Sequence, residues 1–439
     1  MNNTLRSFLY FSIMAGLLVA VGMGQSWSVA LSIINLCLIS AIMALGVNMQ
    51  WGYAGLFNVG VMGFAALGGL AAVLVSKAPV PQAWAAGGFN IALAAIAFVA
   101  TVMLLNLAYR KLAKGTLRAI VMLILVIGGL TVYRSFFDPA VEAIESVDAA
   151  RTGFLGGLGL PIILAWPVGG LFAAAAAWVV GKVALGLRSD YLAIATLGIA
   201  EIVIAVLKNE DWLTRGVKNV TGLPRPVPYE VELAEKSWLI DIATNSGIDP
   251  NTAASLAVKL GYTGLFLAVL LIVLVLAERA LNSPWGRMMR AIRDNETAAE
   301  AMGKDVTKRH LQIFILGSAV VGIAGAMLTT LDGQFTPTTY QPLRFTFLVW
   351  VMVIVGGSGN NWGSVLGGFL VWFVWIQAEP AGLWLINGLT STMDADSGIR
   401  GHLLEGAPHM RMIFMGAILL LVMRFSPRGL IPERTARPT

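Results

Sequence analysis

Ser283-Pro-Trp-Gly-Arg-Met-Met-Arg-Ala-Ile-Arg-Asp-Asn-Glu-Thr-Ala-Ala-Glu-Ala-Met-Gly303 is a charged stretch between two apolar runs. Each run has about 20 residues, enough to cross a bilayer as a helix. A charged, helix-forming insert between two such spans must face water. Its surplus of Lys and Arg, continued by Lys304, Lys308 and Arg309, assigns that water to the cytoplasmic side. Pro284 suits the first turn of a helix, where its missing N–H is not needed, and Gly303 suits the residue after the last turn. One helix is therefore expected from Pro284 to Gly303. Arg287, Arg290 and Arg293 recur on about one face, beside apolar stripes of Met288, Ala291, Ile292, Ala298, Ala299 and Met302.

Composition points the same way. Of 439 residues 57% are hydrophobic and only 12% charged, with a mean hydropathy of +0.77. A soluble chain of this length needs a wetted exterior that such a composition does not supply. The reading is an all-α, polytopic integral membrane protein with little soluble mass. The formal charge of +6 fits loops facing anionic lipid and calls for no nucleic acid. Cys37 is the single cysteine, and His310, His402 and His409 are scattered, so neither disulfide nor metal site is expected. Arg6 followed by the apolar run from Phe8 to Gly24 is longer than a signal-peptide core and is read as an uncleaved first span.

Apolar runs fall near 8–24, 29–49, 53–76, 88–108, 117–133, 160–181, 189–207, 261–281, 311–331 and 409–424, with a broken region at 344–378. Loop charges set sidedness. Arg110, Lys111, Lys114 and Arg118 mark a cytoplasmic turn, Lys182 and Arg188 another. Segment 208–260 falls outside and 282–310 inside. Arg424, Arg428, Arg434 and Arg437 make the tail cytoplasmic, so the chain must cross twice between 344 and 378. Gly356-Gly-Ser-Gly-Asn-Asn-Trp-Gly363 supplies the bend between two short helices there. About 10–12 segments result, as one membrane domain over 1–439 with both termini cytoplasmic.

A second break lies at Gln50–Gly63, where four glycines and two polar side chains weaken a continuous helix. Irregular backbone at membrane depth is tolerated when buried in protein or lining a wet cavity. Asn48, Asn58, Thr196 and Glu201 are the candidate path residues. The plainer alternative is packing: amides and hydroxyls bonded to neighbouring backbone, and Glu201 bonded to an adjacent helix. An ionisable residue within an apolar span normally faces a bundle interior or polar cavity. Both readings stand on the sequence.

Four blocks together carry a family likeness across most of 48–370. They are Gly52-Tyr-Ala-Gly-Leu-Phe-Asn-Val-Gly60; Arg188-Ser-Asp-Tyr-Leu-Ala-Ile-Ala-Thr-Leu-Gly-Ile-Ala-Glu201; Leu213-Thr-Arg-Gly-Val-Lys-Asn-Val-Thr-Gly-Leu-Pro224; and Ser283–Gly303 with Val355-Gly-Gly-Ser-Gly-Asn-Asn-Trp-Gly-Ser-Val-Leu-Gly367. The chain resembles the LivM-type permease subunit of branched-chain amino-acid ABC importers. The coupling loops of ABC permeases carry Glu-Ala-Ala, three residues, then Gly. Here Ala298, Ala299 and Gly303 keep that spacing, Thr297 takes the Glu position and Glu296 precedes it.

The resemblance implies an ABC importer permease fold that translocates branched-chain amino acids across the inner membrane. It makes 208–260 a periplasmic loop and 282–310 a cytoplasmic coupling loop, in which Arg287, Arg290, Arg293, Asn295, Glu296, Ala298, Ala299 and Gly303 engage an ATPase. Implied partners are a second homologous permease subunit, two cytoplasmic ATP-binding subunits and a periplasmic substrate-binding protein. That protein would dock on the face carrying Lys208, Arg215, Lys218 and Arg225, then Glu230, Glu232, Glu235 and Asp241. Relatives with similar motifs resemble urea or short-amide importers, so that substrate class stays open. The apolar stretch 78–160 is longer than the family pattern and suggests peripheral spans.

The chain has no phosphate-cradling Gly-x-x-x-x-Gly-Lys-Ser/Thr and no clustered nucleophile, base and orienter. It is therefore read as a non-enzyme without cofactor, whose ATP hydrolysis occurs in other chains. An ion-coupled secondary carrier is the rival, resting on Glu201 alone. A membrane enzyme would need convergent acid–base or metal residues, which do not cluster.

Overall fold

Hydrocarbon offers backbone amides no hydrogen-bond partner, so an apolar run that crosses it must bond internally, as a helix does. The computed structural model describes residues 3–148, 152–391 and 398–433. Its main helices are α1 (Asn3–Gly24), α2 (Trp27–Ala54), α3 (Val61–Ser76), α4 (Pro81–Lys111), α5 (Thr116–Ser146), α6 (Ile162–Ala184), α7 (Ser189–Asn209), α8 (Pro250–Asn282), α9 (Pro284–Asp294), α10 (Glu296–Ala301), α11 (Val306–Asp332), α12 (Pro342–Gly356), α13 (Asn361–Leu389) and α14 (Gly398–Phe425). Among the described residues ten helices are long and apolar enough to cross a membrane. Two shorter apolar helices, α3 and α12, lie beside them.

Helix α11 is the hub and packs against α2, α3 and α6, while α2 also carries α8 and α13. Small residues make this possible. A Cβ on Gly68 of α3 would collide with the Gly322 carbonyl of α11, and one on Gly325 with the Ala65 carbonyl. Close backbone approach of this kind is how membrane helices gain contact without a hydrophobic driving force. At the α6–α11 contact, Trp166 Nε1 donates to Thr330 Oγ1 at 3.0 Å, both buried. Thr330→Val leaves that indole N–H unpaired, and is expected to destabilise the fold by about 1–3 kcal/mol. Thermal unfolding in detergent should show a midpoint several degrees lower, with Thr330→Ser near the parent.

The α4–α5 hairpin packs on itself at the periphery, and few of its residues are buried beyond Ala94, Ala140 and Ile144. These are the additional spans of the 78–160 stretch. Arg6 donates to Ser426 Oγ at 2.8 Å, so α1 starts where α14 ends, at the end of the bundle that also holds α9 and α10. The opposite end carries a two-stranded antiparallel ribbon, β1 (Val220–Thr221) and β2 (Gln334–Phe335), with Val220 opposite Phe335.

The structure corrects several boundaries. The region 344–378 does bend at its glycines, but only α12 is short, since α13 runs for 29 residues. The run at 53–76 is not one helix: α2 continues to Ala54, and helix resumes at Val61. Helix α8 starts eleven residues earlier than its apolar run, because Asp249 accepts from Asn251 and Thr252 N–H and Pro250 takes the first helical position. Residues 250–260 are therefore helical rather than loop. Arg434 and Arg437 lie outside the described residues.

Candidate coupling and translocation site

The charged insert is two helices, not one. At Asn295 the backbone is extended (φ −156°, ψ 95°), and the side chain accepts from Ala298 N–H at 3.0 Å, capping α10. An Asn that caps competes with helix continuation, which is why α9 ends at Asp294. Helix α10 stands out from the bundle with Glu296, Ala298, Glu300 and Met302 exposed and Ala299 half-buried. Gly303 follows with φ +75°, the left-handed conformation of a helix end, in open space.

Helix α9 lies against the bundle through Met289 and Ile292. Its arginines do not form one outward stripe. Arg287 is exposed, while Arg290 and Arg293 turn inward. Arg290 donates to the Leu281 carbonyl at 3.3 Å and lies 5.9 Å from the Tyr53 ring centre. Arg293 reaches three elements at once. It donates to the Gly52 carbonyl near the end of α2, pairs with Glu433 of the tail at 3.0 Å, and bonds its neighbour Asp294 at 3.0 Å. Burial works against the Arg293 charge, but Glu433 and then Asp294 outweigh it and hold its pKa above the ordinary value.

The tail locks onto the break that follows α12. Leu430 and Ile431 N–H donate to the carbonyls of Val355 and Gly356, both at 2.9 Å, satisfying the last turn of α12. Asn48 of α2 reaches the same break. Its Oδ1 accepts from Gly359 N–H at 2.9 Å, and its Nδ2 donates to Asn361 Oδ1 at 3.0 Å. Asn361 in turn donates to Glu278 of α8 at 3.0 Å. Gly52 is required here, because a Cβ would collide with the Gly359 amide.

Deeper in, α2 carbonyls still take the amides of Gly55 and Leu56, but those of Val59 and Gly60 find no helix carbonyl. Asn58 donates to Gln50 Oε1 at 2.8 Å and accepts from Gly60 N–H at 2.9 Å. Gln50 donates to the Phe314 carbonyl and Ser318 Oγ of α11 at 2.9 and 3.0 Å. Thr196 Oγ1 accepts from Val59 N–H at 3.0 Å, and Trp350 Nε1 donates to the Asn58 carbonyl at 3.0 Å. Asn58 and Thr196 are thus brought together at residues 58–60, while Asn48 supports the break after α12; all three are buried and bonded. Glu201 is not with them. It sits on the outer face of α7, exposed, with no hydrogen bond or ion pair among the described residues, so the expected interior setting does not hold within this chain.

Glu433, Tyr53, Glu278 and Trp350 belong to this arrangement, and no local sequence signal pointed to them. On the outer segment, Lys218 pairs with Asp211 at 2.9 Å and Arg225 with Glu230 at 2.8 Å, so part of its charge is spent internally. Among the described residues no group of three or more His, Cys, Asp or Glu could hold a metal.

Residues 140–423 match the family model described as the branched-chain amino acid transport system / permease component. The chain belongs to this family. Among its relatives is the high-affinity branched-chain amino acid transport system permease protein LivM of Escherichia coli (strain K12). The two are 27% identical over 270 residues, 61% of this chain and 56% of that one. The match thus spans little more than half of that relative. The probable branched-chain amino acid transport permease protein LivM of Methanocaldococcus jannaschii is 28% identical over 321 residues, 73% of this chain and 81% of that one. The probable LivH permease of the same organism is 30% identical over 115 residues, covering 25% of this chain and 36% of its own. No solved structure matches the chain. Family membership accounts for the multi-pass membrane architecture, and the permease's broken helices become the elements to explain.

Proposed function

We propose that this chain is the membrane-spanning permease subunit of an ATP-driven importer of branched-chain amino acids in the cell inner membrane. The single observation that carries this reading is Arg293, which joins the charged insert to Gly52 at one helix break and, through Glu433, to the tail at the other. The insert 282–310 faces the cytoplasm by its charge, and so do both termini. Exposed α10, with Ala298, Ala299 and Met302, seats in a groove of a cytoplasmic ATP-binding subunit. Closure of two such subunits displaces α9, and Arg293 passes the displacement to the breaks. Inward and outward states then differ in contacts, as any ligand-driven switch requires. ATP is hydrolysed in those partners, and this chain performs no chemistry.

The amino-acid specificity follows the printed names of the LivM relatives, and the LivH match supports pairing with a second, homologous permease. Helix α7 suits that contact: Ile194, Gly198, Glu201 and Ala205 form an exposed stripe in which small residues admit a neighbouring helix. A carboxylate there is costly against lipid and finds its partner in the second subunit. The periplasmic binding protein docks at the ribbon end, on 208–249. Glu201→Leu is expected to leave the isolated chain's thermal stability unchanged and to reduce co-purification of the second permease several-fold, with Glu201→Gln in between. Equal recovery in all three would remove α7 as the contact. The function itself is tested by leucine uptake into proteoliposomes holding this chain with its co-encoded permease, ATPases and binding protein. Uptake should need ATP. Accumulation by this chain alone would overturn the reading.

A further inference from the structure

We propose that a cavity of about 260 Å3 between α2, α11, α12 and α13 binds one zwitterionic amino acid with an aliphatic side chain, between Asp332, which lines it, and Arg344, which lies over two of its lining rings. The inference rests on the transport reading above and adds the place where the substrate is held within this chain. The cavity lies toward the ribbon end. Leu36, Ile39, Leu348 and Val349 line its walls with Trp372 and Trp375, and Met43, Met62 and Met352 line it further in. Such walls suit a branched hydrocarbon, and thioether side chains adapt to several shapes of it. The volume is below the roughly 300–1,000 Å3 of sites for drug-sized ligands, which fits a single amino acid.

Asp332, Ser40 and the Trp372 indole N–H are set into this apolar surface without hydrogen-bond partners among the described residues, and Arg344 lies over two of its rings. Asp332 is the last residue of α11, lines the cavity and is exposed there, and has no hydrogen bond or ion pair among the described residues. It stands where the helix's own carbonyls already gather negative potential, so a cation placed there is doubly favoured. Arg344 lies 5.0 Å from the Trp375 ring centre and 5.6 Å from that of Phe345, two rings that line the cavity. It has no carboxylate partner among the described residues. Ser40, inside the wall, likewise makes no hydrogen bond within them. The Tyr340 hydroxyl, by contrast, is occupied by Thr329 at 2.7 Å and does not compete for a ligand. One carboxylate, one guanidinium and an apolar hollow match an ammonium, a carboxylate and an aliphatic side chain. Urea or a short amide would leave both charges unpaired and the hollow unfilled.

The cavity's inner part adjoins the helix break. Met62 N–H donates to Thr346 Oγ1 of α12 at 3.4 Å, and Met62 is the second residue of α3, directly after residues 55–60. Movement of that break therefore reshapes the cavity, linking the site to the coupling insert.

The test labels Thr339→Cys, a rim residue, with a maleimide in the full-length permease in lipid nanodiscs. The native Cys37 is buried, and a Cys37→Ser background removes it. L-Leucine at millimolar concentration should protect the thiol. 4-Methylpentanoate, which lacks the ammonium, and isoamylamine, which lacks the carboxylate, should each need about tenfold more, the scale of one lost charged hydrogen bond. Asp332→Asn should raise the half-protecting leucine concentration about tenfold, and Met352→Trp should abolish protection. Asp332→Asn decides the matter where Met352→Trp does not fold. No protection by leucine, equal protection by all three probes, or parental behaviour of Asp332→Asn overturns the site. ATP-driven leucine uptake by the complete complex is measured in parallel. Uptake without protection removes the site and leaves the transporter assignment. Protection without uptake removes the assignment and leaves the site.

Discussion

Gly303→Trp is expected to bring ATP-driven leucine uptake and substrate-stimulated ATP hydrolysis to background, with expression and membrane insertion unchanged. Gly303 has φ +75°, and nothing lies within 4 Å of the position a Cβ would take. An L-residue therefore meets only its own backbone strain, about 1–2 kcal/mol, confined to the end of a six-residue helix that carries no buried side chain. An indole at that point instead fills the open space beside exposed Met302 that the proposed docking of an ATP-binding subunit requires. Gly303→Ala separates the two effects, since it keeps the strain and adds almost no bulk, and it should retain most of the uptake. If Gly303→Trp transports normally, α10 is not the docking element.

The sequence made the membrane architecture legible because long apolar runs have one physical solution in hydrocarbon. Both breaks were legible too, since glycine and asparagine clustered within apolar runs signal backbone that no helix satisfies. What sequence reading missed was settled by distant partners. The arginines of the insert look like one basic face, but Arg293 turns inward toward Glu433, 140 residues away, and Gly52, more than 240 residues away. Periodicity cannot name what a face meets. Asn295 divides the insert because its side chain caps α10, which helix-favouring neighbours on both sides conceal in the sequence. Glu201 is expected inside by the cost of its charge, yet within this chain it lies on the exposed face of α7, and one chain's sequence does not say what covers that face. The start of α8 had its signal in Asp249-Pro250, hidden by the polar composition of the helix's first two turns.

At Arg293 the expected loss is as large as at Gly303, and its rescue is diagnostic. Arg293 and Glu433 side chains are 24% and 19% exposed, so their contact is partly desolvated, and a charge-assisted hydrogen bond of this kind contributes about 1.5–3 kcal/mol. Arg293→Glu sets two carboxylates against each other beside the Gly52 carbonyl, while Glu433→Arg sets two guanidinium groups together. Either change alone should detach α9 from both breaks and bring uptake to background, even though ATP hydrolysis by the partner subunits continues. The double variant Arg293→Glu/Glu433→Arg restores the ion pair, yet the introduced carboxylate cannot donate to Gly52 as the guanidinium did. Partial recovery of uptake is therefore the expected outcome, above either single variant and below the parent. Arg293→Lys provides the graded case, because one ammonium keeps the charge but cannot fork between Glu433 and Gly52. If the double variant is folded, binds its ATPases and is as inactive as the single ones, the ion pair is not what transmits motion. If each single variant transports like the parent, the insert reaches the helix breaks by another route.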